Sequence, residues 1–238
     1  MAEQLAFDLP YRPALDREDF LVADCNARAV SLIDTWPDGS DPVRLICGPA
    51  ACGKSHLAAV WGLHHRAAIY PCSALRLDRL DALMDALMDG GALVIDNLEN
   101  LLPENEETLF HLINHTRQSA HDASDGGAGS LLLLSRQPAE QITVKLPDLK
   151  SRLSALITAR MDAPCDMLMA AVMVKLFNDR QLHITDKVVQ YIVPRLERSF
   201  ATLNRVVSDI DKAALKGKRP VTVPLVSELF GRMETDYE

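Results

Sequence analysis

The chain has 238 residues, a formal net charge of −8 and 48% hydrophobic residues, enough apolar material for one large domain or a domain with a small appendage. The acidic balance weighs against a broad basic face that would hold DNA. Glu3, Asp8, Asp16, Glu18 and Asp19 argue against a secretory leader, and no window approaches the ~20 uninterrupted apolar residues of a membrane span.

In chain order, the first feature is Gln4-Leu-Ala-Phe-Asp-Leu-Pro10, where Leu5, Phe7 and Leu9 alternate with Ala6 and Asp8. Pro10, Pro13 and a run of charges follow, so this apolar edge has no neighbour in sequence to pair with. Val43–Cys47 reads as a buried parallel strand and leads into Gly48-Pro49-Ala50-Ala51-Cys52-Gly53-Lys54-Ser55, then a helical pattern to about His65. This is G-x-x-x-x-G-K-S in a strand–loop–helix context. Its glycines let backbone N–H groups curl around phosphate oxygens, Lys54 neutralises the β- and γ-phosphates, and Ser55 can ligate Mg²⁺. Cys52 lies inside the loop; a redox role is conceivable there, but a small loop-filling residue is the preferred reading.

Ala68–Pro71 is a short strand and Leu75–Met88 a helical stretch. Ala92-Leu-Val-Ile-Asp96 is an apolar strand ending in an acid, the arrangement that holds Mg²⁺ near a phosphate loop. Asn97 follows, where many ATPases place a carboxylate to activate water, so hydrolysis by this chain alone is expected to be slow. Glu99 is a weak substitute. Glu106–Ser119 is helical, His121–Ser130 a glycine-rich loop and Leu131–Ser135 a strand running into Ser135-Arg136. Leu149-Lys-Ser-Arg152-Leu153 is a basic cluster before the fifth strand, Leu156–Arg160, and by itself reads as a solvated turn. Five strands alternating with helices imply a parallel α/β sheet.

Beyond Ala163-Pro164 only helices are expected. They are Met167–Asn178, a helix capped by Thr185 running toward Glu197 despite Pro194, Phe200–Lys216, and Thr222–Met233. Arg195 and Arg198 stand at the entry to the third of these, placed to face phosphate or to pair with Glu197 or Asp209. The five cysteines, Cys25, Cys47, Cys52, Cys72 and Cys165, include no C-x-x-C pair and read as reduced thiols of a cytoplasmic protein.

Together the phosphate loop, Ile95-Asp-Asn97, Leu149–Leu153 and Glu197-Arg-Ser-Phe-Ala-Thr-Leu-Asn-Arg205 resemble the AAA+ module of the DnaA replication-initiator family, over nearly the whole chain. The likeness is strongest to the family's short regulatory branch, in its alphaproteobacterial form, which carries out regulatory inactivation of DnaA. The resemblance implies a clamp-binding tail over 1–16, an AAA+ α/β domain over 17–163 and a small all-α lid over 164–238. It implies ADP or ATP as ligand, ADP being favoured in the active form, with Mg²⁺ held through Ser55 and Asp96. Phe20–Asn26 resembles the segment beside the adenine, which places Leu21 and Val22 near the base, while Gly48 to Ser55, His56, Asp96 and Arg198 complete the nucleotide set. Arg198 is preferred to Arg195 as the lid cation.

Arg152 matches the arginine that AAA+ proteins project toward a neighbour's nucleotide, here the ATP of DnaA. Gln4, Leu5, Phe7 and Leu9 are similar to the hexapeptide that binds the DNA polymerase III sliding clamp (the beta subunit), with Phe7 in place of the usual leucine. The implied partners are DnaA and the clamp, with a second copy of the chain compatible. No sequence-specific DNA binding and no membrane are expected. A helicase- or clamp-loader-type ATPase would share every nucleotide motif, whereas a P-loop small-molecule kinase leaves Arg152 and the lid without a purpose. A scaffolding adaptor with a structural nucleotide is the last alternative.

Overall fold

Strands β1 (Val43–Cys47), β2 (Ala68–Pro71), β3 (Ala92–Asp96), β4 (Ser130–Ser135) and β5 (Ile157–Arg160) form one parallel sheet in the order β2-β3-β4-β1-β5. The computed structural model describes residues 20–36, 40–122 and 129–235. The Gln4–Leu9 stretch, the 1–16 tail and most of the His121–Ser130 loop lie outside them.

Side chains alternate across a strand, so a sheet covered on both faces needs apolar residues at every position. Val43, Leu45, Leu93, Ile95, Leu131 and Leu133 enter one core, with Leu109, Leu112 and Ile113. Ile46, Ala92, Val94, Leu132 and Leu134 enter the other, with Leu57, Val60 and Trp61. Helices α1 (Ala27–Asp34) and α2 (Lys54–His65) cover this second face. Helices α3 (Leu80–Asp85), α4 (Pro103–Asp122) and α5 (Pro147–Ser154) cover the first. Arg44 interrupts the apolar run of β1 and is nevertheless buried, because its guanidinium reaches the Leu32 carbonyl and lies 5.1 Å from the Trp36 ring centre.

Helices α6 (Asp166–Asp179), α7 (Asp186–Ile192), α8 (Phe200–Gly217) and α9 (Val223–Thr235) pack into a separate core around Met173, Phe177, Ile192, Val207 and Val226. Met169 and Met173 of α6 pack into this core, whereas Met167 is exposed. Helix α7 stops at Ile192 and gives way to a 3-10 turn over Val193–Arg195, since Pro194 brings no N–H to continue it. Thr185 sits at the N-cap without a side-chain capping bond.

Two expectations are corrected. Leu75–Met88 is not one helix: Leu75 and Arg76 have extended backbones, the Leu75 carbonyl accepts from the Asn105 side chain, and a 3-10 turn precedes the short α3. Leu149–Leu153 is not a turn but lies within α5, with Pro147 in its first turn and Leu149 and Leu153 buried one helical turn apart. Among the described residues, no helix is long and apolar enough to cross a membrane.

Candidate functional site

The phosphate-loop segment leaves β1 at the carboxyl edge of the sheet and enters α2 through Gly53. Its start is tied to the neighbouring strand by Gly48 N–H donating to the Ser135 carbonyl at 3.1 Å. A Cβ on Gly48 would stand 2.3 Å from the Met161 carbonyl oxygen, so only glycine fits. Ala51 and Gly53 take φ of 53° and 104°, which curl the loop. Inside it Lys54 is 7% exposed, its Nζ donating to the carbonyls of Gly48 at 2.7 Å and Pro49 at 2.8 Å. Among the described residues it has no carboxylate partner. A buried ammonium held by neutral carbonyls and the Cys52 sulfur 3.8 Å away is costly unless an anion joins it, and a phosphate on the loop would be that anion. The residues present thus fit a nucleotide.

Ser55 Oγ donates to Asp96 Oδ2 at 2.7 Å, and Asp96 Oδ1 accepts the Asn97 N–H at 2.6 Å. A hydroxyl beside a carboxylate is a hard-oxygen pair suited to Mg²⁺. Among the described residues no group of three or more His, Cys, Asp or Glu is arranged to hold a metal by itself. Asn97 has a left-handed backbone, φ 61°, and its carbonyl accepts from the Cys72 thiol at 3.0 Å. Glu99 is occupied elsewhere, forming an ion pair with Arg136 Nε at 2.9 Å and accepting the Arg136 N–H at 3.0 Å. Ser135 is fully buried, and its Oγ accepts from Gln137 N–H.

Burial, then the Glu99 carboxylate, push the Cys72 thiol up from an ordinary 9.0 to about 11. The fold favours the neutral thiol, so its stabilisation is complete below about pH 9 and is lost as pH rises through about 11. Urea melts are expected to show wild type weakening faster than Cys72→Ala across that window; parallel curves would refute the link.

The segment proposed beside the base is stapled by Asn26, whose Oδ1 accepts from Ala23 N–H at 2.8 Å and whose Nδ2 donates to the Leu21 carbonyl at 2.9 Å. Leu21 is half-buried and Val22 is 52% exposed. Phe20, the first residue of this segment, stacks on His56 with ring centres 5.6 Å apart and so joins the segment to the first turn of α2.

Arg152 is exposed in the last turn of α5 and, among the described residues, makes no hydrogen bond or ion pair. The entry to its helix is fixed by buried Glu106 of α4, which accepts the N–H groups of Lys145 at 2.9 Å and Leu146 at 2.8 Å. Nothing near Arg152 in sequence reveals that tether. Of the lid arginines, Arg198 pairs with Asp166 at 3.1 Å, while Arg195 lies 4.0 Å from the Tyr191 ring centre and donates to the Tyr191 carbonyl. The lid meets the phosphate loop through another residue, Phe200, whose N–H donates to the Ala51 carbonyl at 3.0 Å.

The fold is shared with solved structures. Domain III of the Thermotoga maritima replication initiation protein DnaA superposes with a TM-score of 0.76 at 16% identity, over 94% of this chain and 98% of that one. AMPPCP-bound DnaA from Aquifex aeolicus gives 0.69 at 16% identity, over 94% and 71%. The Thermotoga maritima RuvB Holliday junction branch migration motor gives 0.70 at 17% identity, over 90% and 70%. These likenesses and the sheet order define a P-loop protein of the AAA+ fold with a helical lid.

Residues 167–230 match the family Hda, lid domain. The helical region is thus Hda-like over those residues, while the chain as a whole shares its fold with DnaA domain III. An uncharacterised Haemophilus influenzae protein is 26% identical over 206 residues, covering 84% of this chain and 86% of its own length.

Proposed function

We propose that this protein restrains replication initiation by promoting hydrolysis of the ATP bound to DnaA, recruited by the DNA-loaded sliding clamp. The observation that carries the proposal is Arg152, an arginine unpaired among the described residues, at the surface of a helix anchored from within by Glu106. Offered to the ATP of a docked DnaA, its guanidinium would stabilise charge developing on the γ-phosphoryl group. Gly48 to Ser55 with Asp96 would hold this protein's own adenine nucleotide, ADP in the working state, with Mg²⁺ at Ser55 and Asp96. The AMPPCP-bound DnaA relative supports a nucleotide here. Leu21, Val22 and His56 would flank the base, with Arg198 reaching from the lid. Asn97 lacks a carboxylate, and Glu99 is engaged by Arg136, so chemistry on its own nucleotide would be slow. The division of labour places catalysis on the partner's ATP.

Recruitment would run through Gln4, Leu5, Phe7 and Leu9: the Gln4 amide makes polar contacts at one pocket while the apolar side chains fill another. The test is hydrolysis of ATP on purified DnaA, with and without DNA-loaded clamp and this protein. Stimulation is expected only with both present, and Gln4→Ala is expected to lower it about tenfold at limiting protein. Full stimulation without the clamp, or by Gln4→Ala with it, would sink the recruitment step. No stimulation under any condition would sink the whole proposal.

A further inference from the structure

Phe200 joins the lid to the phosphate loop in two ways. Its N–H, the first of α8, donates to the Ala51 carbonyl at 3.0 Å. Its ring packs where a Cβ on Gly53 would stand, 3.3 Å from the nearest ring carbon, with Met161 alongside. Both loop residues are in the left-handed region, Ala51 at φ 53° and Gly53 at 104°. The lid therefore grips the two positions at which the loop turns.

A trans peptide is planar, with its C=O and N–H pointing in opposite directions. Bonding the Ala51 carbonyl to α8 therefore directs the Cys52 N–H away from the lid helix. A phosphate loop works by turning N–H groups toward the anion, which a carbonyl bonded outside the loop leaves its peptide free to do. The Phe200 bond selects that orientation for the Ala51–Cys52 peptide. The partial positive charge at the start of α8, an eighteen-residue helix capped by Ser199, is brought to the same loop as the start of α2. Arg198, meanwhile, is paired with Asp166 at the start of α6.

We propose that Phe200 is the element through which the lid and the phosphate loop sense each other: it holds the Ala51–Cys52 peptide ready for phosphate, and phosphate on the loop in turn holds the lid. The coupling is reciprocal, because a lid contact that favours the phosphate-binding loop shape must itself be favoured when phosphate binds. The inference rests on the phosphate-loop reading of Gly48–Ser55.

Two substitutions separate the contacts. Phe200→Ala removes the ring and keeps the N–H. Phe200→Pro also removes the N–H, at the first helical position, where proline is well tolerated, and behind Ser199, whose extended backbone suits a following proline. Phe200→Leu retains an apolar side chain and the N–H. Each full-length variant is examined for ADP·Mg²⁺ affinity by calorimetry and for amide hydrogen exchange across α6–α8 with and without ADP.

In wild type, ADP is expected to slow exchange in the first turns of α8. Phe200→Ala is expected to lose about five- to tenfold in ADP affinity, and Phe200→Pro more, with the ADP-dependent protection of the lid gone. Phe200→Leu is expected to restore most of both. Wild-type affinity and lid protection in Phe200→Pro would overturn the coupling while leaving the nucleotide site intact. Failure of wild type to bind ADP or ATP at all would instead overturn the phosphate-loop reading, and the coupling with it.

Discussion

Replacing Arg152 with alanine is expected to lower stimulated hydrolysis of DnaA-bound ATP by about 10³-fold or more, the scale on which an arginine supplied in trans acts. The substitution should leave the rest of the molecule alone. Leu149 and Leu153 bury the inner face of α5, Glu106 holds its entry, and the Arg152 side chain is exposed, so truncation opens no cavity. ADP affinity and clamp binding should match wild type. Arg152→Lys should recover only a small part of the rate, because an ammonium keeps the charge but lacks the planar fork that meets two phosphoryl oxygens at once. An Arg152→Ala protein that stimulates as well as wild type would remove the arginine from the mechanism, whatever the fate of the clamp contact.

The second large effect is on the protein's own ligand. Lys54→Met should cost about 10- to 100-fold in ADP affinity, the range for losing a charge-assisted contact. In the absence of nucleotide the same variant should melt no lower than wild type. The two signs differ because the ammonium is buried against the carbonyls of Gly48 and Pro49, with no carboxylate partner among the described residues. Removing it relieves a desolvation cost that only phosphate offsets. Calorimetry and a thermal melt on one preparation check both halves. Unchanged ADP affinity would move the nucleotide away from this loop.

Local signals made much of this legible in the amino-acid sequence. Strands β3 and β4 were readable because residues buried on both faces form apolar runs, and the phosphate loop because its spacing is local. Helix α5 was not. Its eight residues give only Leu149 and Leu153 to the core, too few for a period to show, and the carboxylate that fixes its entry is on α4. The single helix expected over Leu75–Met88 failed because Leu75 and Arg76 are extended, the Leu75 carbonyl being bonded by the Asn105 side chain 30 residues on. Helix α1 was missed as well, its buried Ala29, Val30 and Ile33 being a short pattern. Of the candidate site, motif residues were readable, but the contacts that position them were not: Phe20 on His56, Arg136 on Glu99 and Phe200 on the loop each join distant segments.

The left-handed backbone at Asn97 also bears on how such a protein could change its trade over evolutionary time. Asparagine and aspartate enter that conformation far more readily than longer side chains, so a glutamate arriving at position 97 would meet a strain of about 1 kcal/mol or more before it did any chemistry. The peptide is held there from both sides, by Asp96 on its N–H and by Cys72 on its carbonyl. On the proposed reading, a change toward a self-hydrolysing ATPase has a narrow door: aspartate can pass through it in one step, whereas glutamate requires the turn to be rebuilt first.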